Sequence, residues 1–446
     1  MPTVTHLEAL EILDCRGVPT LEVSCVLEGG VRGNATAPAA GTRGPAEVAE
    51  LRDGEEARHR GLGCRKAVAL VEGEIRAAVV GKRFGDQAAL DKALRQLDGT
   101  NNRGRLGGNT SFAVSLAFAR AHAAGRSMPL FRHFAELVGA APARLPVPII
   151  ALFSPTPGDA GDRGPLALSM VPTRVASIDD ALAVATRVRR DAEILTREKF
   201  DGRVGVAPDG AFEAPFYDTA TLLAHAEAVL RSGDGAAGAG SVKIEWVLRG
   251  AGARRFDAGW YRIDREKLTA KEVIDRITGF AARFPLAAII DPLGADDFPQ
   301  WTALAARLPP EILLGGDDLL ATNLVRVEKA VEQKAVRAIV IKPGQAGSLT
   351  DAARAARFAR KAGLALIVSG RSGETEDDWL TDLAVGWGAE YLQAGAVAGS
   401  ERLSKYNRLL AIEKKTRWPV YRGERPAVAP DAITPPGSPA DRRRSA

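Results

Sequence analysis

Over its first 30 residues the chain alternates apolar and polar positions. Leu21, Val23 and Cys25 share one face and Glu22 and Ser24 the other, the period of a half-buried strand. Gly29-Gly30 before Val31 marks a hairpin turn. The period then lengthens. Ala46 to Leu51 and Lys66 to Val79 carry apolar residues three and four apart, and Phe112 to Ala124 is apolar nearly all round. These stretches predict three helices, the last one buried. Together the elements predict an α+β domain over residues 1–140.

Leu145-Pro146-Val147-Pro148-Ile149-Ile150 marks a boundary, because its prolines favour extended chain and stop helices. Beyond it, short apolar runs alternate with helical segments. Ala287 to Ile290, Ile312 to Leu314, Ala338 to Ile341 and Leu364 to Val368 are such runs, and Leu349 to Ala362 is a helix between two of them. Each run suits a strand buried on both faces. This alternation over residues 141–422 predicts a parallel barrel with its chemistry where strands end and loops begin. The segment over 423–446, with Pro426, Pro430, Pro435, Pro436, Pro439 and Arg442-Arg443-Arg444, has the composition of a disordered tail.

Composition narrows the function classes. A chain of 446 residues, 46% hydrophobic, suits two domains with a large core. No apolar run reaches the roughly 18 to 20 residues that cross a bilayer. Met1 to His6 lacks the basic-then-apolar pattern of a secretory signal. Cys15, Cys25 and Cys64 share no metal-like spacing and read as reduced thiols of a cytoplasmic protein. The net charge of +5 comes without a basic reading module, so neither nucleic acid nor membrane is expected as a partner.

Polar residues gather at the predicted strand ends: Asp291, then Asp317-Asp318, Lys342, and Arg371-Ser372. An arginine fork recognises phosphate, and a desolvated lysine acts as a base, so the set suits an anion site. Each residue also has a simpler reading. Thr375 with Asp378 resembles a helix cap, Asp317-Asp318 a helix start running to Thr322, and Lys342 a solvated loop lysine.

The run Val368-Ser369-Gly370-Arg371-Ser372-Gly373-Glu374-Thr375-Glu376-Asp377 resembles the enolase signature, with Gly370 where the signature has histidine. Further enolase-like stretches keep the family's order: Glu11 to Val23, Glu50 to Gly54, Leu97 to Asn101, Leu145 to Pro148, Gly316 to Leu319, Ile341-Lys342 and Ser400 to Asn407. The resemblance spans residues 3–423. It implies an N-terminal α+β cap on a modified (β/α)8 TIM barrel. It also implies a homodimer, with Arg16, Glu22, Glu401 and Arg402 resembling interface positions. Its chemistry is proton abstraction beside a carboxylate, with two magnesium ions and a lysine.

Carried over residue by residue, Lys342 matches the proton-abstracting base, and Arg371 and Ser372 match the phosphate binders. Asp317 matches one metal aspartate, and Glu245 stands for another. The metal glutamate is Ile290. Asp291 beside it is a possible ligand, though regular strand alternation turns it to the other face. Gln393 takes the place of the lysine on the substrate carboxylate, and Ala39 that of the mobile-loop serine. The acidic and histidine loops are replaced around Val206 to Phe212, with Asp209 near, and at Ser154 to Gly158. A further glutamate falls near Ala167. Losing one preorganised charge stabiliser costs about 100- to 1000-fold and losing a general acid about 100- to 10,000-fold, although such losses do not add. The pattern predicts an enolase relative without ordinary 2-phosphoglycerate dehydration, holding at most one weak Mg2+ and a small phosphorylated acid. Two alternatives stay open: altered chemistry on a three-carbon phosphate or phosphonate, as in carboxyphosphonoenolpyruvate synthases, and residual phosphopyruvate hydratase activity.

Overall fold

A computed structural model of the chain describes residues 1–41, 43–155, 164–213, 215–232, 242–250 and 252–421. The proline- and arginine-rich segment 423–446 and the replaced loop at 156–158 lie outside them.

The N-terminal part opens with an antiparallel sheet of β1 (Val4–Leu13), β2 (Pro19–Leu27) and β3 (Val31–Ala37). Gly29 and Gly30 turn the β2–β3 hairpin with φ of 87° and 79°, a conformation that glycine enters without Cβ strain. Helix Gly108–Gly125 packs across this sheet and is buried on nearly every side, which is why it shows no polar face. The amphipathic stretch after Lys66 is helical, as its spacing predicts. Ala46 to Leu51 is not: it is a turn and extended loop, and its hydrogen bonds run to residues distant in sequence. Val48 N donates to the Gln345 carbonyl and Leu51 N to Asn109 Oδ1. These tertiary bonds override the apolar spacing.

The C-terminal part is a barrel. Its strands are β4 (Val147–Ser154), β5 (Ala167–Thr173), β6 (Lys243–Arg249), β7 (Leu286–Ile290), β8 (Leu313–Gly316), β9 (Ala338–Ile341), β10 (Ala365–Ser369) and β11 (Tyr391–Gly395). They pair in that order, and β11 closes on β4. β5 runs antiparallel to both neighbours and the other pairs are parallel, so the barrel is a modified one. β7, β9 and β10 are buried along their whole length, consistent with their unbroken apolar runs.

The signature segment joins the two parts. Thr375 Oγ1 and Thr36 Oγ1 are 2.6 Å apart, Thr36 N donates to Asp377 Oδ2 at 3.0 Å, and Arg120 bonds Asp377. Helix Trp379–Gly386 begins after this contact, and its N-cap residue Asp378 makes no side-chain cap bond. Thr375 and Asp378 are therefore docking residues and not a helix cap. Helix Leu130–Val138 packs on the same helix, where Gly386 meets the Phe131 carbonyl too closely to admit a Cβ.

Candidate functional site

Strand register decides which side chains reach the barrel mouth. The last residue of β7, Ile290, pairs with Arg249 on one side and Gly315 on the other. Across β5, Arg249 pairs with Ala167. The mouth therefore reads Ala167, Arg249, Ile290, where the family resemblance implies a glutamate near the first and a metal glutamate at the last. Glu245 shares a strand face with Arg249 but sits four residues earlier, about 13 Å down the strand. It pairs with Val171 in register and bonds Lys243 Nζ at 2.8 Å. It does not line the cavity at the mouth. The ion ligand expected at Glu245 is thus corrected: Arg249 ends that strand.

The cavity measures about 270 Å³, and Arg249, Asp318, Lys342, Arg371, Ser372 and Gln393 are among its lining residues. Beneath it, Asp317 is buried and accepts from Lys342 Nζ, Arg249 Nη2 and, at 3.3 Å, Gln345 Nε2. Burial alone would raise the Asp317 carboxyl, but Lys342 and Arg249 hold it well below the carboxylate range. Burial lowers Lys342, with Asp317 opposing. Only 12% of the Lys342 side chain is exposed, so the solvated-loop reading is overturned. The turn at Asp317 does not start a helix; the next one, Leu324–Glu332, is capped by Asn323. Burial would lower Arg249, but the Asp317 carboxylate that it bonds outweighs this and keeps it charged.

Asp291 does not follow strand alternation. It leaves β7 with φ of 48°, a left-handed conformation that aspartate tolerates better than most residues. This turns its carboxylate under the next loop, where Oδ1 accepts from Asp317 N and Oδ2 from Asp318 N, both at 2.9 Å. Burial, followed by the charges of Asp318 and Asp317, pushes its carboxyl up to about 8.

Arg371 and Ser372 follow β10. The Arg371 side chain is 8% exposed and pairs with Glu47 at 2.7 Å, so the N-terminal part contributes a carboxylate to the mouth. Glu47 lies in the stretch whose spacing suggests a helix, and nothing in that pattern marks it. Gly373 and Ala39 bond each other's backbones, drawing the loop before Gly41 onto Ser372. Gln393 Oε1 accepts from Arg249 Nη1 at 3.5 Å. Asp209 lines the cavity and accepts from Ser154 Oγ at 3.2 Å. Arg402 is buried inside the chain and donates to the Arg371, Ser372 and Pro208 carbonyls, so it buttresses this loop and is not an interface residue.

Asp291, Asp317 and Asp318 bring carboxylate oxygens within 4.8 Å of one another, the arrangement that a divalent ion seeks. The donor chemistry fits Mg2+ poorly. Both Asp291 oxygens hold backbone N–H groups, and both Asp317 oxygens hold side-chain donors, two of them cationic. Of these three, only Asp318 has a carboxylate without a hydrogen bond or ion pair among the described residues, and octahedral Mg2+ beside Lys342 and Arg249 would meet two cationic side chains.

The fold, the signature loop and the mouth agree with a comparison against protein families. The enolase N-terminal domain matches residues 4–134, and the enolase C-terminal TIM barrel domain matches residues 143–427. The chain therefore belongs to the enolase family.

Proposed function

We propose that this enolase-family protein binds a small phosphorylated acid at the barrel mouth without acting as an ordinary 2-phosphoglycerate dehydratase. One observation carries the reading: Lys342, Arg371 and Ser372 line one cavity, while the flanking strand ends offer Ala167, Arg249 and Ile290 in place of acidic groups. Anion recognition needs the first set, and metal-assisted dehydration needs the second. In this reading Arg371 and Ser372 take the phosphate, and Gln393 faces the carboxylate. Mg2+ is at most one weakly held ion at Asp318. The protein is a homodimer with Arg16, Glu22 and Glu401 at its interface. Three unpaired cysteines support a reducing, cytoplasmic setting. No helix of the described residues is long and apolar enough to cross a membrane.

The test gives purified protein phosphoenolpyruvate and magnesium and follows absorbance. Turnover within about tenfold of the roughly 10 per second of an ordinary enzyme ends the proposal. A thermal shift with phosphoenolpyruvate supports it, since a ligand that favours the native state raises the melting point.

A second reading is an enzyme acting on a different three-carbon phosphate or phosphonate. The burial that lowers Lys342 favours it, because a lysine that loses its proton more readily is a better base. Lys342→Ala abolishes solvent-deuterium exchange into a candidate substrate if Lys342 is the base. Exchange that survives the substitution removes this reading.

A further inference from the structure

We propose that the Arg249 guanidinium takes over the role of a divalent cation, so that the mouth binds a phosphorylated carboxylate without metal. The inference rests on the ligand class proposed above and adds to it how the carboxylate pole is held.

Three observations converge on Arg249. Register sets it at the mouth between Ala167 and Ile290, two side chains that leave room for a guanidinium and offer a cation no oxygen. Its Nη2 bonds Asp317, so a positive group already occupies the carboxylate that the family resemblance assigns to an ion. Its Nη1 reaches toward Gln393 Oε1 at 3.5 Å, which aims the fork at the residue matching the family's carboxylate binder. A guanidinium carries five N–H donors in one plane, and these two bonds leave capacity for an incoming carboxylate. Such a fork pairs with a carboxylate through two parallel bonds.

The surrounding charges agree. The bonded Asp317 carboxylate keeps Arg249 ionised against its burial. Glu47, Asp209 and Asp318 are the acidic lining groups; Glu47 is already paired with Arg371, Asp209 accepts from Ser154 Oγ at 3.2 Å, and burial raises Asp318 toward its neutral form. Phosphate on Arg371 and Ser372 with carboxylate on Arg249 and Gln393 would seat the two ends of one small molecule in the same cavity.

Calorimetric titration of the full chain with phosphoenolpyruvate, in EDTA and then in magnesium, tests this. Affinity is expected to agree within about threefold between the two conditions. Arg249→Gln is expected to weaken binding by about tenfold or more, the loss of a charge-assisted pair. Arg249→Asp, which puts an oxygen ligand beside Asp317, is expected to make binding depend on magnesium. Inorganic phosphate is expected to lose no more than about threefold with Arg249→Gln, since Arg371 and Ser372 hold that end. Binding by the unmodified protein that requires magnesium overturns the role of Arg249 and leaves the ligand class standing. Failure of both phosphoenolpyruvate and inorganic phosphate to bind in either condition overturns the ligand class and this inference together. The unmodified protein decides the matter if a variant fails to fold, and circular dichroism identifies such a variant.

Discussion

Asp317→Asn keeps the shape of the side chain and removes the charge that Lys342 and Arg249 share. Asp317 has no exposed side-chain surface, and three donors converge on it. An asparagine amide turns an N–H group toward at least one of those donors. A hydrogen bond to a charged group contributes about 1.5–3 kcal/mol, and removing one partner of a buried ion pair costs about 3–5 kcal/mol. The two cations do not double that figure, because Lys342 can shed its proton. The expected loss is therefore about 3–5 kcal/mol near neutral pH. It becomes smaller at about pH 10, since a lysine lowered in the folded state incurs a penalty that grows as pH falls and is relieved as pH rises. Urea unfolding followed by the fluorescence of the buried Trp246, Trp301, Trp379 and Trp387 measures it. Arg249→Met in both backgrounds completes a double-mutant cycle, with non-additivity of at least about 1 kcal/mol expected. A loss below about 1 kcal/mol together with additive effects would refute the shared-carboxylate account of the mouth.

Three further outcomes follow from other contacts. Gly373→Ala would put a Cβ onto the Asp14 carboxylate and the Arg16 guanidinium; about 2 kcal/mol or more should be lost in a urea melt, and an unchanged midpoint contradicts the packing. Asp291→Asn removes a carboxyl pushed up to about 8. In the parent, the folded state keeps a proton that the unfolded chain releases above about pH 4, so this stabilisation is full at about pH 4 and gone by about pH 8. Stability of parent minus variant should therefore shrink between about pH 5 and pH 8, and a difference that widens over that range rejects the assignment. Gly370→His would bring a Cβ to 3.0 Å from Glu374 Oε1, a carboxylate held by Lys405 at 3.0 Å and by Arg371 N at 2.8 Å. Restoring the signature's histidine should thus lower the melting temperature and yield no dehydration of 2-phosphoglycerate; a stable, active variant would show that Gly370 alone accounts for any loss of activity.

The strand runs, the buried helix over Phe112 to Ala124 and the polar residues at strand ends were legible in the chain because hydrophobic periodicity is a local property. Lys342, Arg371, Ser372 and Gln393 were found from motif order, and all four line one cavity. Glu245 was misplaced because an acidic residue near the expected position matches the motif's chemistry, and nothing local says how far along the strand the mouth lies. Asp291 was assigned the wrong face because alternation assumes that the strand continues, whereas its φ of 48° ends it. Glu47 was missed because the contact that ties it to the mouth is with Arg371, 324 positions away.

The amino-acid sequence determined the family, the two-part architecture and which charged residues follow the barrel strands, since each depends on short-range pattern or on motif order. Tertiary structure decided which of those charges meet. Pairing β6 with β7 in one register brings Arg249, and not Glu245, level with Ile290. A shift of four residues along a strand moves a side chain by more than the length of an ion pair, so the sign of charge at the mouth is set by register.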